Sequence, residues 1–357
     1  MLSSVFQESV RASGGASFEA YAKKRKLDIT YDDIISLDNL LLARTEFKRG
    51  KTKKLDVQEF ELHLMDHLIA LHESLKTRTY MHGPYQAFGV NDPKPRHIHK
   101  ASVRDRLLHH ALYRILYPFF DRTFIADSYS CRIGKGVHRA LNRFRSFGWK
   151  VSNNHTRTVW VLKGDIRKCF ASVDQGVLIG ILKKHIADPD TLWLLERVIT
   201  SFDSGRSGRG LPLGNLTSQL LINIYLNELD QFVKQPLKAK SYIRYADDFV
   251  IFSNSKDELK NILILMDVFL RLNLPLELHP DKVFIKTSSS GVDFLGWVHF
   301  PDHRVLPTVT KRRVFRKLCE KNIESYLGLL SHGNGYRLRK MIEEKLLIDG
   351  VATGQPS

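Results

Sequence analysis

Apolar positions along the chain change period several times, and each change marks an element. Over residues 31–75, Leu55, Phe60, Leu62, Leu64, Ile69 and Leu71 alternate with charges at helical spacing, and Gly50 among basic neighbours marks a turn. Residues 80–106 read instead as short extended pieces broken at Pro84, Pro93 and Pro95, loaded with Lys94, Arg96, Lys100, Arg104 and Arg106. The run 158–163 (TVWVLK) is β-branched and aromatic and stops at Gly164-Asp165, which predicts a buried strand with a carboxylate at its end. A helix over 174–186 follows, then a glycine-rich loop over 205–214 and a helix with Leu216, Leu220, Leu221, Ile224 and Leu229 on one side. Residues 241–245 and 249–253 are strand-like and flank Ala246-Asp247-Asp248 at hairpin spacing. Ser255 with Glu258 forms a capping-box signature for a helix whose apolar face carries Leu259, Ile262, Leu263, Met266, Phe269 and Leu270. A hairpin is expected over 292–306, then a basic helix with Lys311, Arg312, Arg313, Arg316, Lys317 and Lys321, and a second helix over 323–342. The order strand, helix, helix, strand pair, helix, strand predicts an α+β fold, with a split β-α-β sheet bearing helices on one face.

Composition narrows the class. With 357 residues, 43% of them hydrophobic, the chain is long and apolar enough for two or three subdomains with a real core. Lys and Arg outnumber Asp and Glu by 55 to 38, a formal charge of +17 spread along the chain, and this points to a polyanionic partner, nucleic acid ahead of a membrane surface. Cys131, Cys169 and Cys319 are isolated, so they offer neither a disulfide framework nor a zinc site, and a reducing cytoplasm fits. The first residues lack an apolar signal core and no stretch is apolar enough to span a bilayer, so neither secretion nor membrane insertion is expected.

Three acidic residues carry the candidate chemistry. Asp165 at a strand end and Asp247-Asp248 in a tight hairpin converge if their strands lie side by side, which would place three carboxylates over one sheet edge. Hard cations such as Mg²⁺ need rigid carboxylate oxygens, and nucleotidyl transfer needs two of them roughly 3.5 to 4 Å apart. Asp165 and Asp247 would bridge both ions, with the Ile166 carbonyl helping. An Asp-Asp pair alone in a turn is usually just solvated; the third Asp and the apolar flanks lift this pair above that background.

The segment RYADDFVIF around Tyr245-Ala246-Asp247-Asp248 resembles the YxDD box of reverse transcriptases, and LKGDIRKCFASVD (162–174) resembles the motif that bears their first catalytic Asp. PKPRHIHKASVRDRLLHHAL (93–112) and SYSCRIGKGVHRAL (128–141) are similar to the fingers and pre-palm segments. LNLPLELHPDKVFI (272–285) and VDFLGWVHF (292–300) resemble the last two palm motifs. The likeness runs in order from about residue 80 to 345. It implies a right-hand polymerase: an N-terminal helical extension over 1–79, fingers over 80–157, a palm over 158–300 that includes fingers and palm helices over 175–240, and a short helical thumb with a tail over 301–357. Carried over position by position, it implies that Asp165, Asp247 and Asp248 hold the metals and that Phe170 crowds a ribose 2′-hydroxyl. It further implies that Lys94 and Arg96 hold the incoming triphosphate, that Arg106 supports that site or the template, and that Lys282 protonates or stabilises the departing pyrophosphate.

The segment GLPLGNLTSQLLINIYLNELD (210–230) refines the resemblance, because Ser218-Gln219 stands where many relatives place Gln-Gly. This form is similar to the reverse transcriptases of diversity-generating retroelements, which copy a template RNA with frequent errors opposite adenine. Leu213, Gln219 and Arg96 are the residues this likeness assigns to fidelity. The short stretch after Phe300, with SYLGLLSHGNGYRLRKM (325–341), resembles these compact enzymes, and no RNase H, endonuclease or maturase region is expected there. Template RNA, cDNA primer, deoxynucleotides and a small basic partner, the accessory variability determinant, are implied by resemblance alone. Two rival readings stay open: a retron-like or phage-defence reverse transcriptase, and an inactive RNA-binding protein that keeps the fold.

Overall fold

The computed structural model describes residues 26–91, 95–319 and 322–352. The calls on residues 1–25, Lys94 and Lys321 lie outside the described residues. Four helices come first: α1 (Tyr31–Ile35), α2 (Leu37–Lys48), α3 (Leu55–Leu62) and α4 (Leu64–Lys76). Their buried faces, with Ile34, Leu40, Phe47, Leu68 and Leu71, join the main core. A hairpin of β1 (Gln86–Val90) and β2 (Arg96–Lys100) follows, then α5 (Val103–Asp121). Arg104 and Arg106 therefore sit on the first turns of a helix and not on an extended piece. The Ser102 hydroxyl accepts from the Asp105 amide and donates to the Asp105 carboxylate, a cap that the neighbouring prolines obscured in the sequence.

Next come α6 (Val137–Val151), β3 (Trp160–Asp165), α7 (Cys169–Ser172), α8 (Gln175–His185), α9 (Pro189–Thr200) and α10 (Leu216–Lys234). Then follow β4 (Tyr242–Tyr245), β5 (Asp248–Ser253), α11 (Lys256–Asn273), β6 (Phe284–Thr287), β7 (Val292–Phe294), β8 (Trp297–His299) and β9 (Arg304–Val305). The described residues end on α12 (Thr308–Lys317), α13 (Ile323–Leu330) and α14 (Tyr336–Ala352).

The central sheet has the order β4-β5-β3-β6, antiparallel throughout. Since β5 and β6 both run antiparallel to β3, the unit β5-α11-β6 is a split β-α-β with β3 inserted between its strands. Strand alternation divides the side chains: Leu162, Tyr242, Phe249 and Ile251 join the core of α10 and α11, whereas Val161, Ile243, Val250 and Phe252 join Ala140, Phe144 and Phe147 of α6. Helices thus cover both faces, where the sequence reading placed them on one; α6 lies too far upstream for its strand partners to be read from periodicity.

Three local expectations change in detail. Residues 292–305 form a three-stranded meander, β7-β8-β9, and not a single hairpin. The helix expected over 323–342 is broken by the turn after α13, where Gly333 and Gly335 lie and the Asn334 amide donates to the Arg304 carbonyl at 2.8 Å. Ser255 does cap α11, but the Glu258 carboxylate accepts from Ser253 instead of completing a capping box. No helix among the described residues is long and apolar enough to cross a membrane.

Candidate active site

Asp165 is the last residue of β3, and the antiparallel register sets it directly opposite Asp248, the first residue of β5. Only Ala246 and Asp247 remain for the turn, since Tyr245 pairs with Asp248. Ala246 takes a positive φ of 54°, as a two-residue hairpin turn demands. The Ile166 amide donates to the Asp247 carbonyl at 3.1 Å, tying the turn to the end of β3. Next to it, Gly164 faces Phe249 so closely that a Cβ would lie 2.2 Å from the ring, so only glycine lets these two strands meet two residues short of the turn's end.

Like charges directly opposite on a sheet repel, and two lysines offset that repulsion here. Lys282 donates to the Asp165 carboxylate at 2.9 Å, and Lys163, two residues before Asp165 on the same strand face, lies 3.7 Å from Asp248. Lys282 is delivered by the segment that runs along 165–167, where the His279 amide donates to the Asp165 carbonyl at 2.7 Å and the Arg167 amide to the Glu277 carbonyl at 2.9 Å. Asp247 is pushed up to about 6 by burial, then by the Asp248 and Asp165 charges, with Lys282 pulling the other way. The buried Cys169 thiol is pushed well up by burial, then by the Asp247 and Asp165 charges, with Arg244 pulling the other way. The three acidic side chains at this edge offer hard carboxylate oxygens, and a carboxyl raised by burial and by its acidic neighbours is relieved by a divalent cation, so the chemistry of the set suits one. As placed, however, no three acidic, His or Cys side chains form a ready cation cluster among the described residues. Lys282 holds an oxygen of Asp165 that a cation would claim.

Behind the turn lies a group the sequence reading did not single out. Arg244 is fully buried; it forks onto Asp230 of α10 with two hydrogen bonds of 2.7 Å, and donates to Asn223 at 3.2 Å, Ser128 at 3.2 Å and the Ala246 carbonyl at 3.0 Å. Tyr242 donates to the same Asp230 at 2.8 Å. Burial opposes the Arg244 charge, yet Asp230 overcomes it and holds the guanidinium above its ordinary range. An Arg beside an acidic turn carries little signal by itself, because its partner Asp230 is on another element.

The other predicted residues scatter around this edge. Phe170 on α7 is half-buried, and its carbonyl accepts from the Leu211 amide at 2.8 Å. Leu213 and Gln219 flank the start of α10, where the Leu213 carbonyl accepts from the His99 amide of β2 at 2.9 Å. Arg96 opens β2 and is exposed. Arg106 bonds Asp56 of α3 and lies over the Phe47 ring at 5.1 Å. It nevertheless lines one cavity with Gln219, Phe88 and Ile98.

A family model described as reverse transcriptase (RNA-dependent DNA polymerase) matches residues 91–299, more than half of the chain. The chain belongs to the reverse transcriptase family. Among curated relatives, it is 25% identical to the group II intron-encoded protein LtrA of Lactococcus lactis subsp. cremoris, over 63% of this chain and 48% of that protein. It is 28% identical to protein YkfC of Escherichia coli (strain K12), over 55% of this chain and 60% of the relative. The putative COX1/OXI3 intron 2 protein of Saccharomyces cerevisiae is 22% identical over 75% of this chain and 37% of its own length. The chain thus spans about half the length of the curated relatives it matches.

Proposed function

We propose that this chain is an RNA-directed DNA polymerase that makes error-prone cDNA from a retroelement template RNA. The observation that carries the polymerase reading is the register: Asp165 opposite Asp248, with Asp247 in the two-residue turn beside them. In this reading Asp165, Asp247, Asp248 and the Ile166 carbonyl hold two Mg²⁺ ions, once Lys282 releases Asp165. Bound there, such ions activate the primer 3′-hydroxyl and neutralise the leaving pyrophosphate. Asp247 must then be ionised. Lys282, freed from Asp165, hands its proton to the departing pyrophosphate or holds that group by charge. Phe170 excludes a 2′-hydroxyl, so deoxynucleotides are preferred. Lys94 and Arg96 grip the triphosphate, while Arg106, tethered to Asp56, shapes the template side. In the family's terms residues 80–157 are fingers, 158–300 palm and 301–357 thumb and tail, behind the extension over 1–79.

The retroelement subtype rests on Ser218-Gln219 and on Leu213. Ser218 is buried at the start of α10 while Gln219 faces the cavity it shares with Arg106, so a change at 219 alters what that cavity accepts. A cytoplasmic setting fits the isolated cysteines, and the accessory variability determinant follows from the same likeness. A second reading, an intron-type reverse transcriptase, is favoured by the names of the relatives, two of which are intron proteins. Primer extension on an RNA template, followed by sequencing of the products, tests both. Extension that Asp247→Asn lowers on the order of a thousandfold while RNA binding persists supports the polymerase. Errors concentrated opposite adenine support the retroelement form, and errors spread evenly over the four bases reject it in favour of the intron-type reading.

A further inference from the structure

The geometry points to a phosphate-binding site in the notch between α6, the β8–β9 turn and the turn after α13, lined by Arg145, His299, Arg304, His332 and Asn334. The cavity holds about 360 Å³, enough for a phosphate group. Two arginines meet there without an acid between them: among the described residues neither Arg145 nor Arg304 forms an ion pair. Burial, then the Arg145 charge, holds Arg304 below the ordinary guanidinium range. Arg304 is fixed in place, since its Nε donates to the His332 carbonyl and its guanidinium lies 5.6 Å over the Trp297 ring. The carboxylate on the same wall, Asp302, is exposed and taken by His303 at 2.7 Å.

A second observation concerns His299. It is 2% exposed, its ring packs 4.1 Å from that of Phe144, and its Nε2 has no hydrogen-bond partner. A buried polar atom without a partner is costly, and this one belongs to a side chain that lines the notch. Burial, then the Arg304 charge, holds the His299 ring down at about 4 and so neutral, and a neutral Nε2 accepts from a protonated phosphate oxygen. The planar guanidinium forks suit tetrahedral oxyanions, and His332, tilted against His138 with ring centroids 3.8 Å apart, adds a further polar group at the wall. The two guanidinium groups call for an anion, and a phosphate that keeps one proton also supplies the donor that a neutral Nε2 lacks. The shared chemistry is a phosphate, either a phosphodiester of bound nucleic acid or a free phosphate ion.

None of these residues belongs to the carboxylate edge, so the site stands or falls separately from the polymerase reading. Full-length protein with labelled histidines is titrated with inorganic phosphate and, separately, with an RNA–DNA hybrid duplex, following the His299 and His332 ring resonances. Arg145→Gln, on an exposed helix face, is the test variant; Lys150→Gln removes the same charge from the same helix outside the notch. Phosphate is expected to move both resonances, with affinity about tenfold weaker in Arg145→Gln and unchanged in Lys150→Gln. If the occupant is a nucleic-acid phosphodiester, Arg145→Gln alone also lowers the salt slope of duplex binding by about 1. If it is a free ion, that slope stays put while phosphate binding still weakens about tenfold. Histidine resonances that respond to neither ligand, or equal effects of the two variants, overturn the site.

Discussion

The turn that bears Asp247 and the hairpin β1–β2 are both short antiparallel ribbons, yet they are held in opposite ways. The turn sits on a fully buried arginine that makes five hydrogen bonds to four residues, on elements as distant as residues 128 and 230. Every residue of β1 is exposed, and β2 is fastened mainly at His99, whose amide meets Leu213 and whose carbonyl accepts from Asn215 at 2.7 Å. A group that must hold carboxylates within a fraction of an ångström benefits from a network that has no alternative arrangement. The exposed ribbon shows the reverse, since few buried contacts mean a low cost of local opening. Burial of the polar partners, more than strand pairing, separates the two.

The sharpest way to break this contrast is Arg244→Leu. It strands Asp230 in the core, and the expected loss is about 3–5 kcal/mol of unfolding free energy, read from urea denaturation. The double variant Arg244→Leu with Asp230→Leu should recover much of that loss; if it does not, the arginine acts by packing and not by charge. A smaller effect comes from Asp247 itself. Its carboxyl at about 6 lies above the ordinary 3.8, so the folded state is favoured while the group keeps its proton. That contribution is complete below about pH 4 and is lost as pH rises through about 6, a cost of about 2–3 kcal/mol by pH 7 in metal-free protein. Asp247→Asn should flatten this part of the pH–stability curve and make the metal-free chain more stable at neutral pH. An unchanged curve would mean that Asp247 ionises without hindrance.

The smallest expected effect is on the hairpin. Gly214 has φ 105°, and a Cβ there would lie 2.7 Å from the Ile98 methyl. Gly214→Ala is expected to cost about 1–3 kcal/mol locally. Because the hairpin opens by itself, exchange of the His99 amide should rise about tenfold or more while the global unfolding midpoint barely moves. If the whole protein is destabilised in step, the hairpin is not the independent element that its exposure suggests.

Read alone, the amino-acid order determined what is local: helices from their apolar period, the strand runs around Asp165 and Asp247-Asp248, the small turn between β4 and β5, and the acidic residues themselves. Lys163 was within reach of the same logic, since a residue two before Asp165 on a strand must share its face. Tertiary structure decided what depends on partners far away in the chain. It set Asp165 against Asp248, gave Lys282 to Asp165, covered the second sheet face with α6, and tied Arg106 to Asp56. It also joined Arg145 to His299 and Arg304 around one notch. The physical reason is that backbone periodicity is imposed by near neighbours, whereas a buried charge is stable only with a specific partner, and which partner it meets is set by how the elements pack.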